Sequence, residues 1–385
     1  MRLLFGFVLA LLVGCSEQTN HAPETPSSSG WVKVYFLSET PENSVKFNGI
    51  GEALNAIAKA KQSPDYPAGI TKIELSEGEF REKLNITLSN IAFYGQGASA
   101  TNIVFDDFAG RLNAQGLPMG TSASATLTLN AQDVYFYDLT IENDFDFLYY
   151  DGLDETASDR VNAMQAVALY LAPGSDRIYF NRVSFLGYQD TLFADGDRAY
   201  IRDSLIAGNV DFIFGRGNLV ILNSDIRSRA RAKITTPSGY ITAPSTKAAS
   251  EFGITVINSR LTRDAAVPDH SVALGRPWHP TMTFPDGRYA DPSVNSKAVF
   301  IDTWMDKHIL SEAWYWMGGT TKAGTKEPIQ PDDQRFFEMA SSGPGAQMSE
   351  KRRVLGDVAR KEYSLANILG EWSETVAEWD EAVSN

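Results

Sequence analysis

IYFNRVSFLG at 178–187 and AYIRDSLIAG at 199–208 are two versions of one phrase. Each alternates apolar and polar residues, breaks at a polar pair near its middle (Asn181-Arg182, Arg202-Asp203) and ends on glycine. A third version, LVILNSDIRS, starts at 219; VYFYDLTIEN (134–143) and ITVINSRLTR (254–263) share the shape. Short runs of β-branched and aromatic residues read as strands. A recurrence every 20–25 residues or so, with Gly, Asn and Asp at the corners, marks stacked coils. The fixed leucine/asparagine pattern of a leucine-rich horseshoe is missing, and the two-residue Asn-Gly or Asp-Gly links of a β-sandwich are scarce between these runs. The pattern predicts an all-β fold, a right-handed parallel β-helix.

A solenoid must cover its ends. GEALNAIAKA at 51–60 has helical spacing and is expected to form a short N-terminal capping helix. At the other end Leu365, Ile368, Leu369, Trp372, Val376 and Trp379 recur at threes and fours, which predicts a helical tail over 363–383 lying along the solenoid. No second domain is visible, so 31–385 reads as one domain.

With 34 Lys plus Arg against 48 Asp plus Glu, the net charge is -14. Its mean field repels nucleic acid and anionic membranes, so neither is an expected partner. The extreme N-terminus is a different matter. Arg2 precedes an apolar run from Leu3 to Val13, too short to span a bilayer, and Gly14 and Cys15 follow. Leu12-Val13-Gly14-Cys15 resembles the bacterial lipobox, which implies a signal peptide over 1–14 and acylation of Cys15, the sole cysteine. Ser16 after it, where inner-membrane lipoproteins carry Asp, implies anchoring in the outer membrane. Residues 16–30 are polar and Pro/Ser-rich, as a flexible tether is.

The repeat also brings two acids together. Asp190 lies three residues past Gly187, and Asp211 three past Gly208, one period apart. Equivalent positions on adjacent coils stack about 4.7–4.9 Å apart. Two carboxylates that close cannot both ionise cheaply, which separates a proton donor from an anion. Spacing alone is equally compatible with two solvated turn residues.

The flanking residues go further. QAVAL (165–169), GYQDTL (187–192), DFIFG (211–215) and LGRPW (274–278) resemble, in order and spacing, the motifs of the pectin methylesterase family over about 31–370. GEFRE (78–82) and Ala125-Thr126 match more weakly. The resemblance implies removal of methyl esters from galacturonate units of pectin. It implies Asp211 as nucleophile, Asp190 as general acid and base, Gln165 and Gln189 as oxyanion donors, and Arg276 as the residue holding Asp211. Trp278, Thr126, Phe212 and Tyr188 are expected to contact substrate, with Phe214 turned into the core. Neither cofactor nor metal is implied, and a monomer is expected.

Four histidines and no G-x-S-x-G elbow argue against a Ser-His-Asp hydrolase. His308 reads as structural. The acidic, aromatic stretch 143–163 lacks an EF-hand pattern and is expected to be a solvated loop, its charges disfavouring de-esterified substrate. Two other readings stay open: an ester or thioester hydrolase with the same site but a non-pectin substrate, and a non-catalytic surface protein that binds glycans.

Overall fold

A computed structural model describes residues 32–36 and 44–384; the expected signal peptide, Cys15 and the tether lie outside them. Parallel strands stack coil upon coil on three faces. The first face runs from Thr71–Leu75 through Ile91–Tyr94, Arg198–Arg202, Asn218–Leu222, Ile254–Ile257 and Lys297–Ile301 to Arg335–Met339. A second, from Gly78–Arg81 to Trp304–Met305, is joined to it because Gln132–Asn143 and Asp176–Leu186 are long enough to bend across both. The third is a separate seven-stranded sheet from Leu84–Ile86 to Val272–Gly275. This is the expected parallel β-helix.

The polar pairs inside each repeat are its corners. Asp138, Arg182, Asp203, Asn223, Asn258 and Asp302 all have positive φ, between 47° and 56°, a conformation Asn and Asp tolerate better than most residues. A serine ladder ties successive corners. The hydroxyls of Ser204, Ser224 and Ser259 accept from the backbone N–H of Val183, Ser204 and Ser224, each at 3.1 Å. Inside, Phe93, Phe136 and Phe180 stack at 4.6 and 5.1 Å. Identical side chains at one register fill the interior, so each coil buries the next.

The capping helix spans Ile50–Ala60 and buries Ile50, Ala53, Leu54 and Ile57 over the first coil. Its N-terminal N–H groups, those of Ile50 and Gly51, donate to the Glu82 carboxylate at 2.7 and 2.8 Å. That gives the GEFRE motif a structural task, since helix N-termini attract anions.

The tail differs from expectation. Instead of one helix it forms Asp357–Arg360, a 3-10 turn at Lys361–Tyr363, then Leu365–Leu369 and Trp372–Ser384. Ser364 caps the third piece, and Gly370, at φ 62°, ends it. Periodicity continues across the later breaks because Tyr363, Ile368, Leu369, Trp372 and Val376 bury into one cluster. The last helix lies on the outer surface of the first face, over Tyr135, Tyr137, Tyr179 and Tyr200. Asp380 accepts from the Tyr179 hydroxyl at 2.7 Å and from Arg202 at 2.6 Å.

Two hairpins also depart from the pure solenoid: Thr281–Phe284 with Gly287–Ala290, and Met317–Thr320 with Lys326–Ile329. The first turns at Pro285-Asp286, and Gly287, which opens the return strand, has φ 143°.

Candidate active site

The Gly-x-x-Asp segments are tight turns between the second and third faces. A Cβ on Gly208 would lie 2.3 Å from Cβ of Phe212, and one on Gly187 2.7 Å from Oγ1 of Thr191. Only glycine lets the chain fold back so closely. Thr191, buried, secures the turn by donating to the Ala207 carbonyl at 3.1 Å.

The register is 21 residues on both sides of these turns: Phe185 pairs with Ile206 before them, and Leu192 with Ile213 after them. Asp190 and Asp211 therefore occupy the same position on adjacent coils, and the Asp190 N–H donates to the Val210 carbonyl at 3.0 Å. Both aspartates are left-handed, with φ 66° and 52°, and both are over nine-tenths buried. Non-glycine residues held there cost of order 1–3 kcal/mol, and such strain gathers at functional sites.

Environment divides the pair. Arg276 donates from Nε to Oδ1 of Asp211 at 2.7 Å and from a terminal nitrogen to Oδ2 at 2.6 Å. This two-pronged grip orients that carboxylate. The guanidinium lies 3.7 Å from the ring centroid of Tyr240. Burial pushes the Asp190 carboxyl well above the usual range, the neighbouring Asp211 charge adds to the rise, and Arg276 offsets only part of it. One acid thus keeps its proton beside another fixed by an arginine.

Gln165 and Gln189 are half-buried at the ends of consecutive coils, and the Gln189 carbonyl accepts from the Ala166 N–H at 3.1 Å. The side-chain Oε1 of Gln165 is enclosed without a hydrogen-bond partner.

On the outer side of the third face, in a small cluster separate from the solenoid core, Tyr170 and the buried Phe193 and Phe214 occupy one register and stack at 4.5 and 4.2 Å. Trp278, half-buried, meets Phe193 and Phe214 edge-on at 5.9 and 5.5 Å. Here two expectations are corrected. Phe212, expected to meet substrate, is fully buried in the solenoid core; Phe214 is buried too, but in the smaller cluster outside the third face. Ile213 and Phe214 alternate normally, inside and outside, while the register shift between Val210 and Ile213, beside left-handed Asp211, turns Phe212 inward out of that alternation. Thr126 is also fully buried, its hydroxyl donating to the Glu142 carbonyl at 2.8 Å, so it closes a turn rather than meeting substrate.

Tyr188 is occupied as well. Its ring stacks on Phe147 at 5.3 Å and carries the Arg229 guanidinium 3.8 Å from its centroid. The stretch 143–163 is not merely a solvated loop. It holds a helix, Phe147–Gly152, with Phe145, Phe147 and Asp151 buried. Asp151 takes Arg231 at 2.6 Å and the Lys233 N–H at 3.1 Å. Burial works against its charge, yet those donors hold its carboxyl below the ordinary range. Asp144 pairs with Arg81, and Asp159 accepts from Tyr149. Two of the loop's acids, Asp144 and Asp151, are thus paired with arginines from outside it, while Asp154, Glu155 and Asp159 stay exposed.

Sequence reading missed Tyr240, Arg229 and Arg231. Arg229 and Arg231 lie in the irregular insertion after 228, and Tyr240 just beyond it, where the period that located the aspartates fails.

A family model described as Pectinesterase matches residues 39–357. The chain is 42% identical to Pectinesterase A of Dickeya chrysanthemi over 336 residues, 86% of this chain and 91% of that protein. Among solved structures, a pectin methylesterase in complex with a hexasaccharide superposes with a TM-score of 0.80 at 41% identity, over 85% of this chain and 94% of that one. Pectin methylesterase from Yersinia enterocolitica gives 0.79 at 43%, covering 85% and 100%. Fold and likeness define an ester hydrolase built on a β-solenoid. The chain belongs to the pectinesterase family.

Proposed function

We propose that this chain hydrolyses galacturonate methyl esters of pectin by double displacement across the two aspartates. A carboxylate oxygen of Asp211 attacks the ester carbonyl carbon, and the oxyanion forms toward the amides of Gln165 and Gln189. As the C–OCH3 bond breaks, Asp190 gives its proton to the departing oxygen and methanol leaves. Asp190, now anionic, takes a proton from water, whose oxygen attacks the acyl-enzyme; the acid product departs and Asp211 is regenerated. The observation that carries this reading is the register match of two buried aspartates, one gripped at both oxygens by Arg276.

Methanol release from highly methylated pectin by purified protein tests it. Asp211→Ala is expected to abolish release. Undiminished release in that variant would overturn the assignment of the nucleophile.

The N-terminal reading belongs to the same proposal. Cys15 carries acyl chains that tether the enzyme to the bacterial outer membrane, supported by the apolar run that stops at Gly14-Cys15. Cells fed labelled palmitate should mark the wild-type protein and leave Cys15→Ser unmarked; equal labelling of both would refute the anchor.

A further inference from the structure

Beside the catalytic arginine the cleft opens into a cavity of about 390 Å³, whose walls include Val210, Tyr240, Arg276, Tyr315 and Trp316. A second cavity of about 350 Å³ shares Thr236, Pro237, Tyr315 and Trp316 with the first. Trp316 therefore stands as a ridge between the two. It is 46% exposed, an unusual position for so large an apolar side chain. Its ring is nonetheless braced: Tyr315 packs near-parallel to it at 5.8 Å, Tyr240 packs on Tyr315 at 5.9 Å, and Arg276 lies over Tyr240. An aromatic run thus leads from the guanidinium that holds Asp211 out to the ridge.

The far cavity has its own chemistry. Its wall carries two carboxylates, Glu312 and Asp332, and one ammonium, Lys351. All three are exposed, and none forms an ion pair among the described residues. Two negative charges against one positive disfavour a further anion, while carboxylate oxygens readily accept from sugar hydroxyls. An indole face suits the C–H face of a pyranose ring.

Building on the proposed activity, we propose that Trp316 is the stacking floor of an additional subsite. It takes a methyl-esterified, uncharged uronate unit of the same polymer, remote from the unit being cleaved. Glu312 and Asp332 accept from its hydroxyls and turn away de-esterified units. The acidic selection once expected of 143–163 is thereby moved to this cavity.

The test uses the full-length protein, with methyl-esterified oligogalacturonates from trimer to octamer and methanol as the readout. Trp316→Ala is expected to raise KM roughly three- to tenfold on the longest oligomers, leaving kcat and trimer kinetics unchanged. Trp316→Phe should restore much of the loss. In Glu312→Gln/Asp332→Asn, long oligomers de-esterified away from the cleaved unit should gain on methylated ones. An unchanged KM for Trp316→Ala at every length overturns the subsite, and so does a loss equal at every length. If the wild type releases no methanol from any oligomer, the esterase reading fails first and this inference with it.

Discussion

At the residue scale the site rests on a division of labour between two identical side chains. Asp190 is buried where its charge is unwelcome, and its carboxyl is raised accordingly. The folded state holds that proton at pH values where the unfolded chain, near 3.9, has lost it. Stability is therefore given up as pH rises from that value through the folded one. Asp190→Asn should raise the melting temperature at pH 7 by a few degrees while lowering turnover roughly 10²–10⁴-fold. Scanning calorimetry beside methanol assays checks both; a variant less stable than wild type would contradict the account. Arg276→Lys offers one point charge where Asp211 now receives two parallel bonds. Its kcat is expected to fall about tenfold or more, with KM little changed. The aspartates were legible in the sequence because both sit at a fixed distance from a glycine that a regular period locates. The orientation of Phe212 was not, since a register shift beside a left-handed residue decides it and plain alternation cannot.

At the scale of elements, the strands and the capping helix followed from pattern, and the insertions did not. The helix within 143–163 is held through the buried Asp151 and its contacts with Arg231 and Lys233. That partnership spans 80 residues of chain and leaves no periodic trace. The C-terminal end of the solenoid depends on another such contact. Arg352 and Glu338, almost fully buried, pair at 2.8 Å, and Arg352 also donates to the Gly345 carbonyl at 2.7 Å. Removing one partner strands a buried charge, so Arg352→Met should cost about 3–5 kcal/mol in denaturant unfolding. Arg352→Met/Glu338→Gln should recover much of it. Equal stability of the single variant and wild type would show that the pair is dispensable.

For the whole molecule, the repeat makes stability a sum over stacked coils, and acid sensitivity enters through a core histidine. His308 is fully buried, shut away from water. Burial pulls its pKa down to about 4, with nearby Asp306 resisting. In the unfolded chain the ring titrates near 6.5. Between pH 6.5 and 4 the unfolded state thus binds a proton that the folded state refuses, and stability falls as pH drops through that window. The full effect is about 3 kcal/mol. Urea unfolding across that range should show the slope, and His308→Phe should flatten it.

The tyrosine column on the outer surface has a consequence for the order in which the molecule is completed. Tyr135, Tyr137, Tyr179 and Tyr200 precede Trp372, Val376 and Trp379, which cover them, by a long stretch of chain. A chain emerging from the ribosome can wind its coils long before it can seal them. Until that covering helix arrives, the flank is an open, sticky seam, and a nascent or clipped chain lacking it is a target for chaperones and for its own neighbours. The strap makes its own late synthesis a condition of solubility.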